Sequence, residues 1–183
     1  ICVSGGIPVD LPMLEIARQR NLTITNDAQL FLERCPAPVI GITGSAGKTT
    51  TTSLVGEIVQ RAGYKTWVGG NIGDVLLDVL DDIDREDVVV MELSSFQLDL
   101  MTISPQVGAI INITPNHLDR HKTMEAYINA KVNIIKYQTS RDIAVLSADN
   151  QITNSLEVAV KGELAQFSNR QMVLNGTFAI GNR

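Results

Sequence analysis

Apolar runs alternate with helical patterns along most of the chain. The runs "VVVM" and "GAII" contain no polar positions, which is typical of strands covered on both faces of a parallel sheet. Between such runs, apolar residues recur at three- and four-residue spacing, which predicts helices. The predicted order is strand 39–43, helix 48–62, strand 64–69, helix 74–83, strand 87–93, strand 107–113, helix 124–138 and strand 142–147. We therefore predict an α/β fold with a mostly parallel central sheet and helices on both faces.

The first residues form a separate pattern that ends at a proline-rich stretch. Residues 11–20 have helical spacing, and Asn26 is a candidate N-cap for a second helix that runs to about Cys35. The stretch "CPAP" stops that helix and stiffens the chain, so we place a domain boundary there. Residues 1–36 are then the tail of one α/β unit and 37–183 an incomplete second domain. After Asn150 the pattern becomes short and strand-like, and the start on "ICVSGG" predicts a longer natural chain.

Composition excludes several classes of protein. The 183 residues are 44% hydrophobic and carry a formal net charge of −5, which gives no electrostatic reason to expect nucleic-acid or membrane binding. No apolar run is long enough to cross a bilayer. Cys2 and Cys35 lie far apart, outside any metal-binding spacing, and are expected to be free thiols in a reducing cytoplasm.

A glycine-rich turn follows the predicted strand 39–43. The sequence "GITGSAGKTTTT" places Gly44, Gly47, Lys48 and Thr49 between that strand and the next helix. Such a turn lets backbone N–H groups approach phosphate oxygens, a lysine reach the terminal phosphates and a hydroxyl bind Mg²⁺. The spacing is G-x-x-G-K-T, tighter than the common G-x-x-x-x-G-K-[ST]. We predict a P-loop-type sheet; the alternative is an ordinary glycine turn with a solvated lysine.

Other strands end in polar residues that could complete such a site. Glu92 follows a buried run, where a carboxylate is costly unless it is paired or binds a metal, although a strand-end glutamate can also face solvent. Asn71 lies in "GGNIG", and His117 lies in the loop "TPNHLDRH". His117 is equally consistent with an ordinary surface histidine, and His121 is predicted to be one. Lys131 is predicted from spacing alone to be a helix-surface lysine that reaches water.

The motifs together resemble the Mur ligases. "GITGSAGKTTTT", "GGNIG", "MELSSFQL", "NITPNHLDRH" and "NAKVNII" occur in the order and spacing of that family. The resemblance covers most of residues 38–150 and, more weakly, 1–36. It accounts for the tighter glycine turn, which is the form that the family uses. It also implies that residues 1–36 end a UDP-sugar-binding N-terminal domain and that 37–183 form an incomplete central ATP-binding domain.

The resemblance implies a role for each motif. ATP would be held by the glycine turn and the helix start, namely Gly44, Ser45, Ala46, Gly47, Lys48, Thr49 and Thr50. Thr49 and Glu92 would bind one Mg²⁺, and His117 a second with Glu92 bridging. Lys131 matches a lysine that the family carries as a carbamate, which would support the second metal. The implied catalytic residues are thus Lys48, Glu92, His117 and Lys131.

Four further positions match the family's substrate site: Ser4, Gly6, Asn71 and Ser94. Gly5 stands where the family has a proline, in the turn whose Ser4 and Gly6 would contact the uracil.

The implied activity is an ATP-dependent amide ligase of peptidoglycan synthesis that adds D-glutamate to UDP-N-acetylmuramoyl-L-alanine through an acyl phosphate. Its partners would be those small molecules, with no nucleic acid and no membrane insertion, and the protein would be a cytoplasmic monomer. Two alternatives stay open. One is a Mur-type or folylpolyglutamate-type ligase for another amino acid, and the other is a non-catalytic ATP-binding regulatory module.

Overall fold

A computed structural model describes residues 1–5, 7–8, 11–73 and 75–179. Within that part of the chain, seven strands form one sheet: β1 (Val39–Thr43), β2 (Thr66–Gly70), β3 (Val88–Glu92), β4 (Val107–Ile110), β5 (Ile143–Ser147), β6 (Glu163–Ser168) and β7 (Gly176–Phe178). Their spatial order is β2-β3-β1-β4-β5-β6-β7, and each neighbouring pair is parallel. The predicted parallel sheet is confirmed.

Helices cover both faces of this sheet, as predicted. They are α1 (Pro12–Gln19), α2 (Asp27–Arg34), α3 (Lys48–Arg61), α4 (Ser95–Asp99), α5 (Leu118–His121), α6 (Met124–Lys136) and α7 (Gln151–Ser155). On one face, Val55 and Val59 of α3 pack against Ile42 and Val90. On the other face, Ile134 of α6 joins the larger buried cluster. The apolar strand runs are therefore buried on both sides, which explains why they lack alternating polar residues.

The N-terminal segment packs directly on the sheet domain. Asn26 caps α2 as predicted, since its Oδ1 accepts a hydrogen bond from the Gln29 N–H at 2.8 Å. The Asn26 side chain also donates to the Gln97 carbonyl at 2.7 Å, and Phe31 of α2 lies in the same buried cluster as Met91. Before α2, Cys2 and Thr25 form an isolated parallel bridge.

Several element predictions were wrong in detail. The predicted helix 74–83 is a 3₁₀ helix, Leu76–Asp82. The strand predicted for 107–113 ends at Ile110. The strand-like pattern expected after Asn150 instead begins with α7 and a second 3₁₀ helix, Leu156–Ala159, before β6. No helix in the described ranges has both the length and the apolar character needed to cross a membrane.

Candidate functional site

The glycine turn joins the central strand β1 to the start of α3. Gly47 adopts a φ of +79°, which a residue with a side chain rarely tolerates. At Gly44 a Cβ atom would lie 2.4 Å from Cγ1 of Ile111, the residue after β4, so any larger residue would force Ile111 to shift. No side chain caps the N-terminus of α3. The first N–H groups of the 14-residue helix therefore remain available to an anion, which the helix dipole also favours.

Lys48 folds back over this turn. Its half-buried side chain donates from Nζ to the carbonyl of Gly44 at 3.2 Å. The ammonium group thus lies at the mouth of the loop rather than in open solvent. This is the position that the sequence predicted for a phosphate-binding lysine.

Glu92 ends β3, in register with Ile42 of β1 and Gly70 of β2. The side chain is only 1% exposed, so its carboxylate needs polar partners. Oε2 accepts from the Thr49 hydroxyl at 2.8 Å, and Oε1 accepts from the Asn71 amide at 3.0 Å. The alternative of a strand-end glutamate pointing into solvent is wrong.

The chemistry of these donors suits a hard divalent cation. Thr49 and Glu92 present a hydroxyl and a carboxylate in contact, and Mg²⁺ prefers such oxygen ligands. No group of three His, Cys, Asp or Glu side chains forms a metal cage within the described ranges. A cation held here would therefore need further oxygen ligands from a bound molecule, as Mg²⁺ does when it binds with phosphates.

Lys131 is buried beside the glycine turn, with 1% of its surface exposed. Its Nζ donates to Thr43 Oγ1 at 3.1 Å and to the Gly44 carbonyl at 2.9 Å. The pKa of Lys131 is lowered to about 7, chiefly because burial disfavours the charged form and secondly because of the charge of Lys48, while Glu92 opposes both effects. The expectation of a lysine reaching water was wrong, because tertiary packing places this face of α6 against β1.

His117 lies at the side of this cluster. The residue is exposed and has a φ of +53°. Its ring centroid is 5.1 Å from Phe96 and 6.4 Å from Tyr127. Tyr127 in turn forms a 2.9 Å hydrogen bond with Ser45 of the turn, so His117 is linked to the turn through one aromatic ring.

The predicted substrate residues share a groove of about 590 Å³. Ser4, Asn71 and Ser94 all line it, together with Phe96 and Gln97. The Ser94 hydroxyl also closes a capping box with Gln97 at the start of α4. Gly6 lies outside the described residues. The groove meets the Glu92 site at Asn71, which belongs to both.

Two residues near the site were not predicted to contribute. Asn112 sits in the apolar run "VGAIINI" and makes three side-chain hydrogen bonds to the glycine turn. A single polar residue inside an apolar run was the available signal. His121 is half-buried rather than an ordinary surface residue. Its ring stacks on Phe96 at 5.2 Å, and its Nε2 lies 2.9 Å from Ser95 Oγ.

Most of the chain is similar to known proteins. A family model for the Mur ligase middle domain matches residues 42–175. The chain is 47% identical over 170 residues to UDP-N-acetylmuramoylalanine–D-glutamate ligase of Clostridium kluyveri, covering 93% of this chain and 37% of that protein. The Clostridium botulinum enzyme of the same name is 45% identical over 175 residues, which cover 96% of this chain and 38% of that protein.

Solved structures show the same fold. MurF ligase from Thermotoga maritima, solved in complex with ADP, has a TM-score of 0.60 at 21% identity, covering 87% of this chain and 44% of that one. MurF from Acinetobacter baumannii also has a TM-score of 0.60, at 24% identity, and the match covers 77% of this chain and 33% of that one. The chain spans a little over a third of the length of the Clostridium relatives. Because the family model covers most of its residues, the chain belongs to the Mur ligase family, through the middle domain.

Proposed function

We propose that the protein to which this chain belongs is an ATP-dependent ligase that joins D-glutamate to UDP-N-acetylmuramoyl-L-alanine. The observation that carries the proposal is the juxtaposition of Lys48, Thr49 and Glu92 at the carboxyl edge of the sheet, beside the groove of Ser4, Asn71 and Ser94. Identity of 45–47% to ligases of that name supports the choice of substrates. ATP use is supported by the family and by the ADP complex of the MurF neighbour.

The proposed reaction has two steps. The γ-phosphoryl group of ATP passes to the alanine carboxylate, which gives an acyl phosphate and ADP. The amine of D-glutamate then attacks the acyl carbon, and the tetrahedral intermediate collapses to an amide and inorganic phosphate. No covalent nucleophile from the protein is needed, and the chain's part is to position and neutralise charge.

Each site residue has a role in this proposal. Gly44 and Gly47 let the phosphates approach the turn closely, the N–H groups of Lys48, Thr49 and Thr50 hold them, and the Lys48 ammonium offsets their charge. Asn71 and Ser94 contact the muramoyl substrate, and Ser4 contacts its nucleotide end. The role assigned to Gly6 falls on a residue outside the described ranges.

Mg²⁺ would be held by Thr49 and Glu92, and a second ion by His117 with Glu92. When bound, Mg²⁺ would neutralise charge on the phosphate oxygens and make the γ-phosphorus more electrophilic. Lys131 is proposed to carry a carbamate, which would turn a buried cation into an anion beside the second ion. The pKa of about 7 supports this, because the neutral amine is the form that reacts with CO₂.

The domain assignment is part of the same proposal. Residues 1–36 would end the domain that binds the UDP-sugar, and 37–183 would form most of the ATP-binding domain. The protein is proposed to act as a cytoplasmic monomer on small-molecule substrates.

An incorporation assay on the full-length protein tests the function. The protein is given ATP, Mg²⁺ and UDP-N-acetylmuramoyl-L-alanine with D-glutamate, L-lysine or diaminopimelate in separate reactions. We expect phosphate release and a product of the added mass with D-glutamate alone. A product with another amino acid would assign the chain to a different ligase. Nucleotide binding without an acyl phosphate would indicate a regulatory module.

A further inference from the structure

Asn112 binds the crest of the glycine turn, which we define as Ser45 and Ala46. The Asn112 Oδ1 atom accepts from the N–H groups of both crest residues at 3.0 Å. Its Nδ2 donates to the Ala46 carbonyl at 2.9 Å. The Ser45 N–H is also within 3.0 Å of the Asn112 backbone carbonyl. A single half-buried side chain thus satisfies three backbone groups of the crest.

The chain beyond Asn112 reinforces this attachment. The Ser45 hydroxyl donates to the Thr114 carbonyl at 2.9 Å, and the Thr114 N–H donates back to that hydroxyl at 2.9 Å. Residues 112–114 connect β4 to the loop that carries His117. The crest is therefore tied to a neighbouring strand end, not left as a free loop.

These contacts divide the backbone donors of the turn into two groups. The N–H groups of Ser45 and Ala46 are already used by Asn112. The N–H groups at the start of α3 receive no side-chain cap. A bound phosphate would therefore meet the available backbone N–H groups at residues 47–50, close to the Lys48 ammonium.

We propose that Asn112 is a positioning residue that holds the crest in place and directs phosphates to the N–H groups at the start of α3. The proposal rests on the proposed nucleotide site and adds to it a residue that touches neither phosphate nor metal. Holding the loop before binding lowers the entropy cost of ordering it around a ligand. The loop sequence alone would otherwise have offered the crest N–H groups as phosphate donors.

The test uses the full-length protein with Mg²⁺ and ADP as the probe. We expect Asn112→Ala to weaken ADP affinity at least tenfold, measured by calorimetry. The matched control is Asn150→Ala. Asn150 makes a similar set of bonds, accepting from Thr153 at 3.0 Å and donating to the Ile113 carbonyl at 3.1 Å, but it does not touch the crest. We expect both variants to melt at lower temperature and only the first to lose affinity.

Residue-resolved hydrogen exchange gives a second test on the unaltered protein. We expect the Ser45 and Ala46 amides to exchange slowly without nucleotide and to change little when ADP and Mg²⁺ bind. The amides of residues 47–50 should gain protection on binding. This measurement decides the matter even when Asn112→Ala does not fold.

The outcomes separate this inference from the proposed function. A wild-type protein that does not bind ADP with Mg²⁺ overturns the nucleotide site and the inference together. Unchanged affinity in Asn112→Ala, or an equal loss in Asn150→Ala, overturns the inference alone. So does new protection of the Ser45 and Ala46 amides when nucleotide binds.

Discussion

The Thr49 hydroxyl donates a 2.8 Å hydrogen bond to Oε2 of Glu92, across 43 positions of sequence. The bond joins the first turn of α3 to the end of β3. It exists because β1 and β3 are adjacent and parallel, so that the chain leaving each strand emerges at the same edge. A helix start and a buried carboxylate are thereby held together, an arrangement that suits a phosphate-bound cation.

Lys131→Ala in the full-length enzyme should lose at least a hundredfold in activity and recover part of it when formate or acetate is added. A short carboxylate can occupy the vacated space and replace the proposed carbamate. The measurement is the rate of D-glutamate incorporation against acid concentration. Lys136→Ala, on the exposed end of the same helix, should stay active and respond to neither acid. Absence of rescue at every concentration would leave the carbamate without support.

The burial of Lys131 also predicts how stability changes with pH. The folded pKa is about 7 and lies below the unfolded value of 10.5. Between these two values the unfolded chain binds a proton that the folded protein does not, so the free energy of unfolding rises with pH, by at most about 1.4 kcal/mol per pH unit. Below pH 7 the folded protein must bury the protonated Lys131, so this increase in the free energy of unfolding is absent.

We expect the free energy of unfolding of the wild-type protein to rise between pH 7 and 9.5, as measured by thermal unfolding in buffers purged of CO₂. Lys131→Met removes the titrating group and should flatten the dependence over the same range. Equal slopes in the two proteins would mean that Lys131 titrates at an ordinary pKa.

Gly70 should tolerate alanine much less well than Gly63 does. Both have a strongly positive φ, +105° and +97°. A Cβ atom at Gly70 would lie 2.4 Å from the backbone oxygen of Glu92, whereas nothing lies within 4 Å at Gly63. Gly63→Ala should therefore cost about 1 kcal/mol from backbone strain alone.

Gly70→Ala carries the same strain and must also push β2 away from Glu92. We expect it to cost at least about 2 kcal/mol more and to weaken Mg²⁺-dependent nucleotide binding. Thermal unfolding of the two variants measures the difference. Equal destabilisation would show that the close approach at Glu92 is unimportant.

Local patterns predicted the architecture well, because apolar runs and glycine turns are set by residues that are close in sequence. The "VVVM" run is buried on both faces, and the glycine turn stands between strand and helix as its spacing requires. The prediction for residues 74–83 captured a helical pattern but not its tighter winding. Short helical turns such as α7 have too few residues for a reliable period.

The site was less accessible to sequence reasoning, because burial and partners depend on the assembled sheet. Lys131 has the spacing of an ordinary helix lysine, and only the packing of α6 against β1 encloses it. The sequence pattern places Asn112 in a strand. Its three side-chain hydrogen bonds were not predicted, because their partners lie far earlier in the chain. To predict that Lys131 and Asn112 belong to the site, one must know which strand ends are neighbours in the sheet.

The most direct test of the central claim is the effect of Mg²⁺ on ADP affinity in the full-length protein and in Glu92→Gln. Calorimetry with and without Mg²⁺ completes a thermodynamic cycle that isolates the coupling between this carboxylate and the cation. We predict that Mg²⁺ tightens ADP binding at least tenfold in the wild type and less than twofold in Glu92→Gln. An equal effect of Mg²⁺ in both proteins would contradict a cation held between Thr49, Glu92 and the phosphates.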